Sequence, residues 1–271
     1  MGVMQQACLM VKIEQHIDSI PTLESSRMRL FNVLQEEKSS MEGIEQVISS
    51  DPAMVAKVIK LANSSFYRHT DQHVGIRQAL RTIGLDMVKC IALSMAVMDT
   101  FGPQTPSMKL LWRHSYAVAY ISGLLGNTKA EKECLFTGGL LHDIGRMILI
   151  CRTPEHYLPL CEFTGYWPDL ALERDVFAMD HTIIGELIAL RWHFPPEVIA
   201  LIRYHHEPII RASALVYLTD QVVMQHERGL ISEDFEQEVG IKNHLGNEYK
   251  DLVNTIRQRY RTNTVIFENL G

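Results

Sequence analysis

The apolar residues of this chain recur with helical spacing almost everywhere, and no run alternates apolar and polar residues long enough to demand a sheet. Met28, Phe31 and Leu34 fall on one helix face, and Val55, Val58, Ile59 and Ala62 on another. Ala79, Leu80 and Ile83, then Val88, Ile91, Ala92 and Met95, mark two more helices with Gly84 at the joint. Ser50-Asp51-Pro52 is a helix start: a capping oxygen, then a proline where no backbone donor is needed. The predicted fold is therefore all-α, with about a dozen helices packed on one another.

Punctuation suggests three parts. Phe101-Gly102-Pro103-Gln104-Thr105-Pro106 is the strongest break, since two prolines and a glycine in six residues stop a helix. Residues 1–106 are read as an N-terminal helical lobe and 107–231 as a second lobe. Residues 232–271 are read as a terminal amphipathic helix and tail, on the spacing of Leu245, Tyr249, Leu252, Val253, Ile256 and Tyr260. Phe163 to Asp169 and Phe194-Pro195-Pro196 mark further loops.

Composition narrows the class. With 46% hydrophobic and 21% charged residues the chain can build a core, which excludes a wholly disordered or collagen-like polymer. The net charge of −6 disfavours non-specific nucleic-acid binding, which needs a basic surface. Five cysteines, without a C-x-x-C pair, read as reduced thiols. Met1 to Glu14 has no basic run leading into a long apolar one, so no secretory leader is expected. No uncharged apolar stretch of about 18 residues stands out, so no membrane span is expected either. The expected location is cytoplasmic.

The unusual number is 12 histidines. Position separates them. His114 shares a helix face with Ala117, Val118 and Ile121, and His181 shares one with Ile184, Gly185 and Ile188. Asp220 shares a face with Val216 and Val223. Each points inward, and a buried carboxylate needs a partner. His142-Asp143 ends the apolar segment Phe136 to Leu141, and His205-His206 is a second adjacent pair. Neighbours on a helix point about 100° apart, but at a helix end both can reach one cluster. Seven groups thus converge: His114, His142, Asp143, His181, His205, His206 and Asp220. Imidazole with carboxylate suits divalent zinc, iron, manganese or nickel, and the ligand count suffices for two ions. The blander alternative is a hydrogen-bonded polar core without metal. His69 and His73 read as solvated loop residues, and His156, His193, His226 and His244 as surface.

The stretch HDIGR at 142–146, with His114 upstream and Asp220 downstream, resembles the HD superfamily of metal-dependent phosphohydrolases. SSDPAMVAKVIKLANSSFY at 49–67, IRQALRTIGLDMVKCIALSMAV at 76–97, then LWRHS and YHHEP, resemble the HDOD family, a bacterial signalling module related to HD and HD-GYP domains. The likeness covers roughly residues 13 to 226 and implies an HD-like helical fold. It implies a first ion on His114, His142, Asp143 and Asp220. Asp143 would bridge to a second on His181, His205 and His206. If such a site turns over, Asp143 and Arg146 are the catalytic candidates: an activated water attacks phosphorus and Arg146 steadies the phosphate. Three departures from the HD-GYP pattern stand out. Arg146 replaces a lysine, Leu110 replaces a glutamate ligand one turn before His114, and Pro208-Ile209-Ile210-Arg211 replaces the glycine-tyrosine-proline loop. The leading expectation is a regulatory module that binds a signalling protein or a nucleotide-type ligand. The alternative is a metal-dependent phosphohydrolase acting on a nucleotide or cyclic dinucleotide.

Overall fold

The computed structural model describes residues 3–20, 41–63, 75–84, 88, 91, 92, 95, 97, 101, 105–230 and 239–270. His69, His73, Met28, Phe31 and Leu34 lie outside them. Among the described residues the fold is all-α, with no strand. The helices are α1 Val3–Ser19, α2 Met41–Ser49, α3 Pro52–Ala62, α4 Ile76–Ile83, α5 Pro106–Leu124, α6 Lys129–Leu141 and α7 Ile144–Arg152. They continue with α8 Pro154–Thr164, α9 Leu170–Phe177, α10 His181–Arg191, α11 Pro196–Tyr204, α12 Arg211–Glu227, α13 Val239–Leu245 and α14 Tyr249–Leu270.

The chain divides into two compact units. One takes 21–104 and 262–271; the other takes 1–20 and 105–261. Helix α1 therefore groups with the second half of the sequence, across the 106/107 boundary expected from the proline break. Its Gln6 Nε2 donates to the carbonyl of Arg174 at 2.8 Å, and Arg191 Nε donates to the carbonyl of Ile20, just past its end, at 3.0 Å.

In the smaller unit, α2, α3 and α4 pack through Ile44, Ile48, Met54, Val58, Ala62, Ala79 and Leu80, all essentially fully buried. Asp51 Oδ1 accepts from the Ala53 and Met54 amides at 2.9 and 3.2 Å, the cap expected before Pro52. Gly84, at φ 81°, ends α4 with its N–H on the Leu80 carbonyl. Few side chains tolerate that backbone angle.

In the larger unit four helix starts are capped by local side chains. Thr105 Oγ1 accepts from the Met108 amide at 3.2 Å, with Pro106 in the first turn of α5. Thr128 Oγ1 accepts from Glu131 N–H at 3.1 Å, while the Glu131 carboxylate accepts from the Asn127 amide at 2.7 Å. Asp169 caps α9, and Asp180 caps α10 by accepting from Thr182 and Ile183 amides.

Helices α5 and α6 pack closely; a Cβ on Gly139 would stand 2.9 Å from the Ala119 Cα. Helices α6 and α7 together form a 24-residue run, Lys129–Arg152, containing an 18-residue window of mean hydropathy 1.4. By length and composition it could cross a membrane, a run not singled out from the sequence; in the fold 89% of its apolar window is buried, and the helix breaks at His142-Asp143. Helix α7 meets α10 through Gly145, where a Cβ would fall 2.0 Å from the His181 carbonyl oxygen. Helix α13 packs on α12, and Tyr260 of α14 stacks on His226 with ring centroids 5.1 Å apart. Tyr249, Val253 and Ile256 are the buried stripe of α14.

Gly145→Ala must therefore push the first turn of α10 away from α7, because backbone and not a flexible tip lies in the way. We expect a loss of at least about 2 kcal/mol, read as a lower urea midpoint at unchanged m-value. An unchanged midpoint would contradict the close approach.

Candidate functional site

The seven side chains singled out in the sequence meet in the larger unit. His114 comes from the middle of α5, His142 and Asp143 from the α6–α7 joint, and His181 from the first residue of α10. His205 and His206 follow the end of α11, and Asp220 comes from α12. Asp143 sits at φ −99°, ψ 18°, in the sparsely populated bridge region, which lets two short helices meet at an angle there.

The seven form two donor groups whose candidate ligand atoms lie within 4.8 Å of one another. One is Asp143, His181, His205 and His206; the other is His114, His142 and Asp220. Asp143 connects them. Its Oδ1 is 3.2 Å from His181 Nε2 and 3.8 Å from His205 Nε2, while its Oδ2 is 3.5 Å from His142 Nε2. Asp220 Oδ1 lies 2.9 Å from His114 Nε2 and 3.9 Å from His142 Nε2.

Four rings have their orientation fixed from behind. His142 Nδ1 donates to the Gly139 carbonyl at 2.7 Å, and His205 Nδ1 to the Ile202 carbonyl at 2.8 Å. A ring nitrogen facing a carbonyl oxygen must carry the proton, so in both neutral rings Nε2 is a lone pair. His181 Nδ1 donates to Glu173 Oε2 at 2.6 Å, and His114 Nδ1 to Glu227 Oε2 at 2.9 Å. The Nε2 atoms then point into the cluster. His181 Nε2 stands 3.3 Å from His205 Nε2 and 3.2 Å from His206 Nε2. His142 Nε2 is buried with no hydrogen-bond partner.

Electrostatics keep His142, His205, His206, Asp143 and Asp220 in ligand form. Burial holds His142 below the usual imidazole value, only partly opposed by Asp143 and Asp220. His205 is held well below it by burial and by its imidazole neighbours, and His206 is lowered to about 4 by burial and His181. Burial would raise the Asp143 carboxyl, but Arg146 and the surrounding imidazoles outweigh it and hold it well below the carboxylate range. Asp220 is likewise brought to about 2 against burial, chiefly by its hydrogen bond to His114. His114 differs: burial pushes it down, yet Glu227 and Asp220 on its two nitrogens raise it to about 10. Ligand atoms bound at roughly 2.1 Å to one zinc-like ion sit about 3.0–3.4 Å from each other. The separations of His181 Nε2 from Asp143 Oδ1, His205 Nε2 and His206 Nε2, 3.2 to 3.3 Å, fit that spacing.

Two buried acids escaped the sequence reading. Glu173 of α9 takes His181 Nδ1 and the His181 amide on Oε2, and the Tyr157 hydroxyl and Arg146 Nη1 on Oε1. Glu227, the last residue of α12, accepts from His114 and from the Tyr166 hydroxyl at 2.7 Å. Arg146, expected to face a phosphate, turns inward. Its Nε donates to Asp143 Oδ1 at 2.8 Å, and its Nη1 to Tyr157, Glu173 and the Pro168 carbonyl. It is 5% exposed, and those bonds orient Asp143 and leave only Nη2 outside the network. Leu110, standing where the HD-GYP pattern has a glutamate, is 49% exposed. His193 is exposed, and His156, His226 and His244 are half-buried away from the cluster.

A cavity of about 290 Å³ opens onto the cluster, lined by Asp143, Arg146, Trp167, His206, Asp220 and Arg228 among others.

The sequence matches the HDOD domain family over residues 20–208. An uncharacterized protein of Treponema pallidum (strain Nichols) is 26% identical over 207 residues, 74% of this chain. The chain spans 40% of that relative's length. A crystal structure from Shewanella amazonensis SB2B, provisionally named a phosphohydrolase, superposes with a TM-score of 0.73 at 20% identity, covering 96% of this chain and 98% of that one. An HDOD domain protein of unknown function from Geobacter sulfurreducens gives 0.69 at 21% identity, covering 99% and 98%. A Marinobacter aquaeolei VT8 protein, provisionally named for signal transduction, gives 0.76 at 20% identity, covering 98% of this chain and 66% of its own. At these identities the likeness shows a shared fold.

Glu173→Ala removes the acceptor for two nitrogens of His181, for Arg146 and for Tyr157, all buried. We expect a loss of about 3–5 kcal/mol in chemical denaturation, the cost of leaving a buried charge unpaired. A loss below about 1 kcal/mol, an ordinary surface value, would contradict the network.

Proposed function

The chain belongs to the HDOD family, and on that premise we propose that it is a cytoplasmic signalling module built around a divalent-metal centre, whose adjoining cavity takes a nucleotide-type ligand or a partner protein. One observation carries the metal reading. The Nε2 atoms of His142, His181 and His205, each on a ring whose Nδ1 is held from behind, are aimed into one buried space beside His206 Nε2, and that of His142 has no hydrogen-bond partner there. Lone pairs in that arrangement repel, and a cation between them turns the repulsion into coordination. Two carboxylates beside them, Asp143 and Asp220, supply the negative charge that a divalent ion needs.

The proposed division of labour follows from the contacts. His181, His205 and His206 would hold one ion with Asp143, and His114, His142 and Asp220 would hold the other. Bound there, divalent metal supplies Lewis acidity toward a phosphate or carboxylate oxygen. Arg146 holds Asp143 in place, Glu173 fixes the His181 ring, and Glu227 fixes His114. Iron, manganese, zinc and nickel all suit this donor set.

A second reading, metal-dependent phosphohydrolysis of a nucleotide or cyclic dinucleotide, is favoured by one feature. The 290 Å³ cavity reaches Asp143, His206 and Asp220, with Arg146 and Arg228 in its lining to meet an anion. Against it stand the inward engagement of Arg146 and the loss of the glutamate at Leu110.

Elemental analysis of the purified protein tests the centre. Stoichiometric metal is expected in the wild type and its loss in Asp143→Ala. Chelation should lower the melting point, since saturating ligand stabilises a fold by about 4 kcal/mol at a thousandfold excess over Kd. A wild type that neither carries nor accepts metal would overturn the proposal. A panel of phosphodiesters and nucleotides then separates the two readings: metal-loaded protein without turnover supports the signalling module, and turnover abolished by Asp143→Ala replaces it with the hydrolase.

A further inference from the structure

A second and larger cavity, about 430 Å³, lies in the same unit and shares Tyr166 and Trp167 with the first. Helix α5 lines it with Ser107, Leu110 and Arg113, and helix α8 with Leu158, Cys161 and Glu162. Spacings of three and four place each set on one helix face. Leu110, Leu158 and the two aromatic rings make the cleft apolar. Its edges are open to solvent. Leu110 is half exposed, and Arg113, whose Nε is 3.7 Å from Glu227 Oε1, keeps 34% of its side-chain surface exposed.

Phe163 stands beside this cleft. It follows Glu162 on α8 and points about 100° away from it around the helix. Its side chain is 84% exposed, more than any other large hydrophobic side chain among the described residues. A bare aromatic ring thus adjoins an aromatic-lined hollow on the same surface. A knob beside a hole is self-complementary about a two-fold axis: the ring of each copy enters the cleft of the other, and both insertions form at once.

The charges obey the same symmetry. Arg113 stands on the α5 wall and Glu162 on the α8 wall. Glu162 is exposed and makes no ion pair among the described residues. Between two copies each Arg113 can face a Glu162 and each Glu162 an Arg113. A partner carrying a single sign of charge would be repelled by one wall. An aromatic anchor in an apolar pocket with paired charges at its edge is the usual anatomy of a specific protein contact.

We propose that this face is a homodimer interface, in which Phe163 of each copy inserts against Leu110, Leu158 and Trp167 of the other and the Arg113–Glu162 pairs close the edge. The inference uses no residue of the His/Asp cluster and stands whether or not the metal reading does.

Sedimentation equilibrium of the full chain tests it. The wild type should dimerise with Kd below about 100 μM. Phe163→Ser changes a side chain too exposed to unsettle the fold. It should weaken dimerisation at least about a hundredfold, tenfold for each of the two rings removed, with helix content unchanged by circular dichroism. Leu110→Trp fills the cleft from a half-exposed position and should weaken it by a similar factor. Mixing the two variants restores one complete insertion, so the mixed pair should form at least about tenfold more tightly than either variant with itself. If Leu110→Trp fails to fold, Phe163→Ser alone decides. The proposal is overturned if the wild type stays monomeric at about 100 μM, which leaves the cleft to a different partner. It is overturned equally if Phe163→Ser dimerises like the wild type, or if the two folded variants gain nothing on mixing.

Discussion

The polar interior of the larger unit is arranged around imidazole nitrogens turned toward one another in a buried space. Left to itself a buried histidine turns its bare nitrogen toward a donor. Here the Gly139 and Ile202 carbonyls hold the Nδ1 protons of His142 and His205 from behind and fix the opposite nitrogens inward. Those carbonyls belong to the last turns of α6 and α11, where backbone acceptors have no helical partner. The unsatisfied ends of two helices thus do the aiming, and the side chains inherit the direction.

Around that inner set lies a ring of charges that makes it tolerable. Glu173 serves His181, Tyr157 and Arg146 together, and Arg146 passes its charge on to Asp143. Buried ions of this kind contribute little net stability in general; their use here is orientation. Glu227 does the same for His114, while its other oxygen is buried without a hydrogen-bond partner.

Much of this was legible in the sequence. Helical spacing without alternation was enough for the fold class. The inward faces carrying His114, His181 and Asp220 were enough to predict convergence, because polar groups on apolar faces need each other. The partners behind them were harder to see. Glu227 lies seven residues after Asp220 and four after Val223, on the same face, so the pattern that exposed Asp220 extends to it. Glu173 sits four before the buried Phe177, but an acid in a first turn reads as complementing the helix dipole, which masks a buried role. The inward turn of Arg146 depends on Tyr157, Pro168 and Glu173, a set no local spacing brings together. The grouping of α1 with residues 105–261 was hidden for a similar reason: the proline break at 101–106 is the loudest local signal, and it says nothing about tertiary partners.

The contact at Gly145 has one more implication. The separation of Asp143 from His181 is set where main chain touches main chain, with no side chain interposed. Leucines and isoleucines elsewhere in the interior can drift in size over evolutionary time and shift their neighbours by tenths of an ångström. The gauge between these two polar residues does not pass through them, so divergent sequences can keep the same spacing as long as that one position stays without a side chain.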